Sequence, residues 1–242
     1  MKGKFWSATI VVVMLSMLVP SSLGKEASKA DFKEQERYTV SLELEFTRKN
    51  QKSLQRAISF LLDSGPNGFA TGFLVGDGLI MTSYHVVSGE LSDSKKVILG
   101  FARHDQLEVK VSVGGHQATL IRVDKDADLA LLAFGGPRKQ TRMPAFQTKP
   151  TNNEKLYLIA RPHGDRVVSH GVLHGSYAFR GLEYLSVTIE SRDGFSGSPV
   201  YNQNAEVVGI FSGYDWSQKV ALLSPGTRAQ KLLADYIANP KP

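Results

Sequence analysis

Cysteine is absent from the 242-residue chain. That single absence excludes disulfides, thiolate zinc sites, cysteine-bound iron–sulfur clusters, a cysteine nucleophile and a lipidated cysteine. Also missing are a phosphate-binding loop, a dinucleotide fingerprint and any internal repeat. Long apolar runs are scarce: the main uncharged one, residues 5–19, reaches roughly 22 Å as a helix, short of the ~30 Å hydrocarbon core. Neither charge sign dominates, with 29 Lys and Arg against 23 Asp and Glu. At 42% apolar and 21% charged residues the composition is that of an ordinary globular protein. A chain of this size buries about 70% of its unfolded surface, so its core needs no covalent staple.

What is present at the N-terminus is the pattern of an export signal. Lys2 and Lys4 precede the apolar run, and Pro20, Ser21, Ser22, Leu23 and Gly24 follow with the small residues a signal peptidase accepts. Residues 1–24 are therefore expected to be cleaved, leaving a mature chain that begins near Lys25 and is not stably inserted in a membrane. The mature excess of positive charge is +4, too mild to indicate nucleic acid and sufficient for solubility. An exported protein without cysteine fits a bacterial periplasmic or secreted setting.

Residues 25–37 are polar and charged and read as a loose N-terminal arm. Val40, Leu42, Leu44 and Phe46 then alternate with polar residues over 39–46, a half-buried strand. Leu54, Ala57, Ile58, Leu61 and Leu62 follow helical spacing. Beyond Gly68, short β-branched or aromatic runs at 72–75, 79–82, 96–101, 107–113, 118–123 and 129–134 are separated by turn residues. A polar, Gly- and Pro-containing stretch at 136–150 reads as a linker, and a second series follows at 155–160, 167–173, 184–189, 199–201, 207–211 and 220–223. The spacing is all-β, suited to a barrel or a sandwich, with units at about 38–135 and 151–242. Ala229, Leu232, Leu233, Tyr236 and Ile237 form one face of a final helix opened by Ser224 and Pro225.

Three segments carry the residue types that acyl transfer requires: TSYHVV with His85, DADLALLAF with Asp128 and DGFSGSPV with Ser196. A serine hydroxyl is a poor nucleophile at neutral pH; it needs an imidazole to take its proton, a carboxylate to orient the imidazole, and amide donors for the oxyanion. Asp124 and Asp126 compete with Asp128, which is preferred because it directly precedes the buried run LALLAF. Gly194 permits a tight turn that lets its own N–H converge with that of Ser196. No metal or organic cofactor is implied. His170 and His174, four residues apart in an extended segment, are separated by about 13 Å, too far to share an ion, and His163 reads as a turn residue. Lys110, Arg138, Lys139 and Arg142 read as solvated charge.

GFATGFLVGDGLIMTSYHVV, DKDADLALLAF and GFSGSPVYNQNAEVVGIFSG resemble, in this order, the three signature blocks of chymotrypsin-fold (trypsin-like) serine proteases. Within that superfamily the chain is most similar to cysteine-free bacterial branches, the Deg/HtrA proteases and the glutamyl endopeptidases. The resemblance implies two six-stranded antiparallel β-barrels with a C-terminal helix and an active site between them. It further implies His85 as general base, Asp128 as its orienting carboxylate, Ser196 as nucleophile, the amides of Gly194 and Ser196 as oxyanion hole, and Ser212 beside the carboxylate. The expected function is an exported serine endopeptidase acting on polypeptide; the alternative is an inactive relative that binds peptide or an envelope protein in the same cleft.

Departures from the family shape the remaining expectations. Animal members place an aspartate before the nucleophile to pair with a freed N-terminus, whereas Phe195 stands here, so no activation cut is expected. The PDZ domain of Deg/HtrA proteins is not expected, and the histidine of glutamyl endopeptidases is replaced by Phe211. Glu190 lies six residues before Ser196, where trypsin-like members carry the acid that binds Lys or Arg. Phe211 at the pocket wall argues instead for small or medium apolar side chains, and both preferences remain open at this point.

Overall fold

The computed structural model describes residues 32–49, 66–136 and 143–240. The expected signal segment 1–24, the beginning of the arm and the helix expected after Ser53 lie outside the described residues, as do Arg138, Lys139 and Arg142. Two closed six-stranded antiparallel barrels and a C-terminal helix make up the fold, as the resemblance implied. In the first, β1 (Thr39–Arg48), β2 (Gly68–Gly76), β3 (Leu79–Ser83), β4 (Leu107–Val113), β5 (His116–Asp124) and β6 (Leu129–Phe134) close in the order β1-β2-β3-β6-β5-β4. The second contains β7 (Lys155–Ala160), β8 (Val167–Phe179), β9 (Leu182–Val187), β10 (Pro199–Tyr201), β11 (Val207–Asp215) and β12 (Val220–Pro225), closed as β10-β11-β12-β9-β8-β7.

Side-chain alternation explains why some strands read as alternating and others as continuously apolar. On β1, Leu42, Leu44 and Phe46 point into the first barrel while the intervening residues are partly exposed. On β6, Ala130 and Leu132 fill that barrel, and Leu129 and Leu131 face a second cluster between the barrels. The same cluster takes Phe73 and Val75 from β2, Met81 from β3, Ile159 from β7 and Ile210 from β11. These strands are buried on both faces because a barrel or the final helix covers each outer face. Leu156, Leu158, Leu173, Val187, Phe195, Phe211 and Leu223 fill the second barrel.

Two expectations change. The run at 96–101 is not a strand: Asp93–Ile98 is a short helix. Ser92 caps it through the Lys95 N–H, and Gly100, in the left-handed region, ends it with the Phe101 N–H donating to Lys96 O and the Gly100 N–H to Val97 O. This paired closure is a Schellman motif, and it wins because Val97 and Ile98, 53% and 81% exposed, have no sheet to pack on. The arm is not loose from Phe32 onward. Phe32 is buried against the rings of Tyr157 and Tyr201, at 4.9 and 6.0 Å, and leads into helix α1 (Lys33–Tyr38). One apolar side chain among charged neighbours is enough to dock the segment.

Among the described residues the remaining α-helices are α2 (Tyr84–Val87), α3 (the Asp93–Ile98 helix) and α4 (Gly226–Ala238). α4 begins after Pro225 and buries Ala229, Leu232 and Leu233; Ser224, expected to open it, belongs to β12. It lies across to the first barrel. Arg228 grips the Asp124 carboxylate with two nitrogens at 2.8 and 2.7 Å, and Arg122 donates to the carbonyls of Asp235 and Asn239 at the helix end.

Candidate active site

Each of the three acids in DKDAD takes a different environment. The Asp124 carboxylate caps the 3₁₀ turn Lys125–Ala127 by accepting the Ala127 N–H at 3.2 Å and is also held by Arg228. Asp126 is exposed. Asp128 closes the turn at φ 51°, a left-handed conformation that aspartate tolerates, and this turns its side chain into the cleft. There it is buried. Its carboxylate accepts the backbone N–H of His85 at 2.8 Å, the Nδ1 of His85 at 2.8 Å and the hydroxyl of Ser212.

His85 sits in α2, the turn that follows β3, with its side chain 41% exposed. Its Nε2 lies 2.9 Å from the Ser196 hydroxyl oxygen. A carboxylate only accepts, so the Nδ1 facing Asp128 carries the proton, and the Nε2 facing Ser196 is left with its lone pair. His85 and Asp128 come from the first barrel and Ser196 from the second, so the line of three side chains crosses the interface between them.

Two consecutive turns hold Ser196. Phe195 N–H donates to Arg192 O at 3.2 Å with Gly194 at φ 82°, the type II arrangement that needs glycine at its third position. Ser198 N–H donates to Phe195 O at 2.9 Å. Peptide planarity places N–H opposite C=O, so pulling the Phe195 carbonyl toward Ser198 turns the Ser196 N–H the other way. Among the described residues the N–H groups of Gly194 and Ser196 have no hydrogen-bond acceptor. Gly197, at φ 83°, passes so close to Thr71 and Thr82 that an added Cβ would sit 2.1 Å from the Thr71 carbonyl oxygen. Phe195 itself is fully buried, edge-on to Phe211, and anchors the loop in the second barrel without any ion pair.

Sequence reasoning missed the residues that tie this loop to the first barrel. Thr71 on β2 donates its N–H to Ser196 O at 3.0 Å and its hydroxyl to Gly194 O at 2.8 Å, and Thr82 Oγ1 donates to the Thr71 carbonyl at 2.8 Å. Ser83 Oγ donates to Phe211 O at 3.0 Å, the same carbonyl that accepts the Gly197 N–H. The available signal was hydroxyl residues inside otherwise apolar strands. Tyr184 of β9 was missed as well: burial, and then the negative charge of Asp128, raise its phenol above the ordinary range, and Ser212 is its hydrogen-bonding neighbour.

The residues considered for specificity are placed differently from the expectation. Glu190 is not in a pocket: its side chain is 85% exposed, with the Arg192 guanidinium 4.0 Å away. Phe211 faces the core of the second barrel against Phe195 and contributes its carbonyl to the loop. Ser212 bonds Asp128, as the resemblance implied. Of the histidines weighed for metal, His163 stacks on Phe69 with ring centres 4.1 Å apart, while His170 and His174 lie exposed on β8. Among the described residues no group of three or more His, Asp or Glu side chains is arranged to hold a metal ion.

Known proteins share both the pattern and the fold. Residues 70–210 match the family described as trypsin-like peptidase domain. A protein named probable periplasmic serine endoprotease DegP-like, from Pseudomonas putida (strain W619), is 28% identical over 151 residues, covering 59% of this chain and 28% of the relative. A glutamyl endopeptidase of Staphylococcus aureus (strain MRSA252) is 23% identical over 167 residues, covering 64% of this chain and 46% of that protein. The chain thus spans less than half the length of these curated relatives. Among solved structures, Deg5 superimposes with a TM-score of 0.59 at 16% identity, over 87% of this chain and 94% of that one. The active form of the Rv3671c protease from M. tuberculosis gives 0.58 at 17% identity, over 82% and 80%. These structural likenesses concern the fold. With more than half of the sequence matched to one family, the chain belongs to the trypsin-like peptidase domain family.

Proposed function

We propose that the protein is an exported serine endopeptidase that cleaves peptide bonds through an acyl-enzyme. The observation that carries this reading is the single imidazole of His85 bridging a buried carboxylate at 2.8 Å and a serine hydroxyl at 2.9 Å. Ser196 attacks the scissile carbonyl while His85 Nε2 takes its proton. Asp128 stabilises the imidazolium that forms, and the N–H groups of Gly194 and Ser196 receive the oxyanion. His85 then protonates the leaving amine, and water releases the acyl group by the reverse relay. The chemistry needs no added cofactor, and the partner is a polypeptide. Export rests on the pattern of residues 1–24 and on the periplasmic naming of the Pseudomonas relative.

A fluorophosphonate probe tests the reading directly. Folded mature protein should be labelled, and Ser196→Ala should abolish the label. A folded wild type that stays unlabelled would overturn the peptidase and leave peptide binding in the same cleft as the function. Substrate preference has its own test. Glu190 is solvated and faces Arg192, so it supplies no acid to a basic substrate side chain. A positional-scanning peptide library should give the same profile for wild type and Glu190→Gln; a Lys or Arg preference that disappears in the variant would place Glu190 in the site.

A further inference from the structure

Helix α1 is connected to the turn that carries the oxyanion donors. The connection runs through Arg161, at the end of β7, and needs no charged N-terminus. Arg161 Nη2 donates to the Glu36 carbonyl at 3.1 Å and Nη1 donates to Gly164 O at 3.3 Å. One guanidinium thus joins the last turn of α1, where carbonyls lack helical partners, to the loop Arg161–Asp165. A second tie reinforces the first: Arg166 Nη1 meets the Glu36 carboxylate at 2.6 Å. The same loop bears on the nucleophile turn in two ways. Arg161 N–H donates at 3.0 Å to the Thr71 hydroxyl that donates onward to Gly194 O. Pro162 packs so closely on Gly194 that an added Cβ would come within 2.7 Å of the Pro162 Cβ.

Phe32 strengthens the arrangement from below. It lies on Tyr157 and Tyr201. Tyr157 belongs to the strand that runs into Arg161, and Tyr201 to the strand that emerges from the Ser196 turn. The docked segment therefore rests on the roots of both loops. The central peptide of a type II turn can flip to the type I arrangement, which would swing the Gly194 N–H away from the cleft. Pro162, packed on Gly194, opposes that flip, the Thr71 bond pins the peptide that follows, and Arg161 holds the loop that carries Pro162 in place.

We propose that Arg161 is a positioning residue for the oxyanion turn, coupling the docked segment Phe32–Tyr38 to the orientation of the Gly194 N–H. In this chain an internal segment would do the ordering that animal relatives assign to a freed N-terminus. The inference rests on the peptidase reading of Ser196 and Gly194. A misaimed donor acts on the transition state rather than on substrate binding, so its loss is read in kcat with KM unchanged.

The test uses the mature protein, a fluorogenic peptide selected from a library on wild type, and the peptide aldehyde of the same sequence, whose tetrahedral adduct needs the oxyanion donors. Arg161→Ala should lower kcat about ten- to a hundredfold, below the full cost of deleting a donor, and weaken the aldehyde by a comparable factor. KM and Tm should stay close to wild type. Arg161→Lys, able to reach only one of the two carbonyls, should fall between. A kcat within threefold of wild type for Arg161→Ala, or a loss confined to KM, would overturn the proposal. If Arg161→Ala does not fold, Arg161→Lys decides: a reduced kcat at wild-type KM upholds it and a wild-type kcat overturns it. Fluorophosphonate labelling separates the two layers. An unlabelled wild type overturns both the peptidase and the brace, whereas a labelled wild type with an undiminished Arg161→Ala overturns the brace alone.

Discussion

Replacing Ser196 or His85 by alanine is expected to reduce peptidase turnover about 10⁴- to 10⁶-fold. Without Ser196 there is no oxygen to acylate; without His85 the hydroxyl keeps its proton, and the leaving amine receives none. The two losses should not multiply, because both side chains serve one step, so the double variant should be about as slow as either single one. Both residues are only partly buried, at the mouth of the cleft, and neither fills a barrel core. Their variants should therefore fold and melt near wild type. The measurement is initial-rate hydrolysis by purified, folded variants, with residual contaminating protease removed by inhibitor. Turnover within tenfold of wild type in either one would remove that residue from the chemistry.

Asp128→Asn should cost about 10⁴-fold in kcat near neutral pH, through a change of hydrogen-bond polarity with almost no change of shape. Three donors converge on the Asp128 carboxylate, from the His85 backbone, the His85 ring and Ser212. An asparagine offers one accepting oxygen and a donating NH₂. If the NH₂ faces the ring, Nδ1 becomes the acceptor and Nε2 carries the proton, which is the wrong tautomer to receive one from Ser196. Asp126→Asn is the control, since Asp126 is exposed and lies outside this network. Comparable rates for Asp128→Asn and wild type would show that another group orients His85.

Much of this was legible in the sequence for identifiable reasons. His85, Asp128 and Ser196 are chemically distinctive, and each stands next to an apolar run whose period marks a strand, so type and order pointed to one arrangement. Asp128 could be separated from Asp124 because only it abuts LALLAF, and its left-handed turn is what sends it into the cleft. The helix Asp93–Ile98 was misread because Val and Ile suggest a strand, although the capping serine and the terminal glycine were in plain view. Glu190 shows a different limit: sequence distance from the nucleophile fixes where a residue's backbone falls, while the local loop decides which way its side chain turns. Arg161 left no trace at all, and Thr71 only the faint one of a hydroxyl inside an apolar strand. A threonine in a strand is an ordinary strand former and a single arginine an ordinary surface charge, and their partners lie 123 and 125 residues away in the chain.

The grip of α4 on the first barrel bears on how the molecule comes into being. Arg228 and Asp124 are 104 residues apart, and Arg122 reaches carbonyls 113 and 117 residues further along. Contacts of such separation form slowly, because a long loop must close before either end is rewarded. The chain emerging from a ribosome or a translocation pore presents the histidine and the acid long before it presents the serine. The helix that clasps the acid's loop follows the serine in the chain. Until the second barrel follows, the cleft has only one wall, and until α4 is free to fold back, the first barrel stands without its clasp. Assembly order by itself therefore keeps His85 and Asp128 without their serine until the second barrel has been made, a delay that a site built from one local segment would lack.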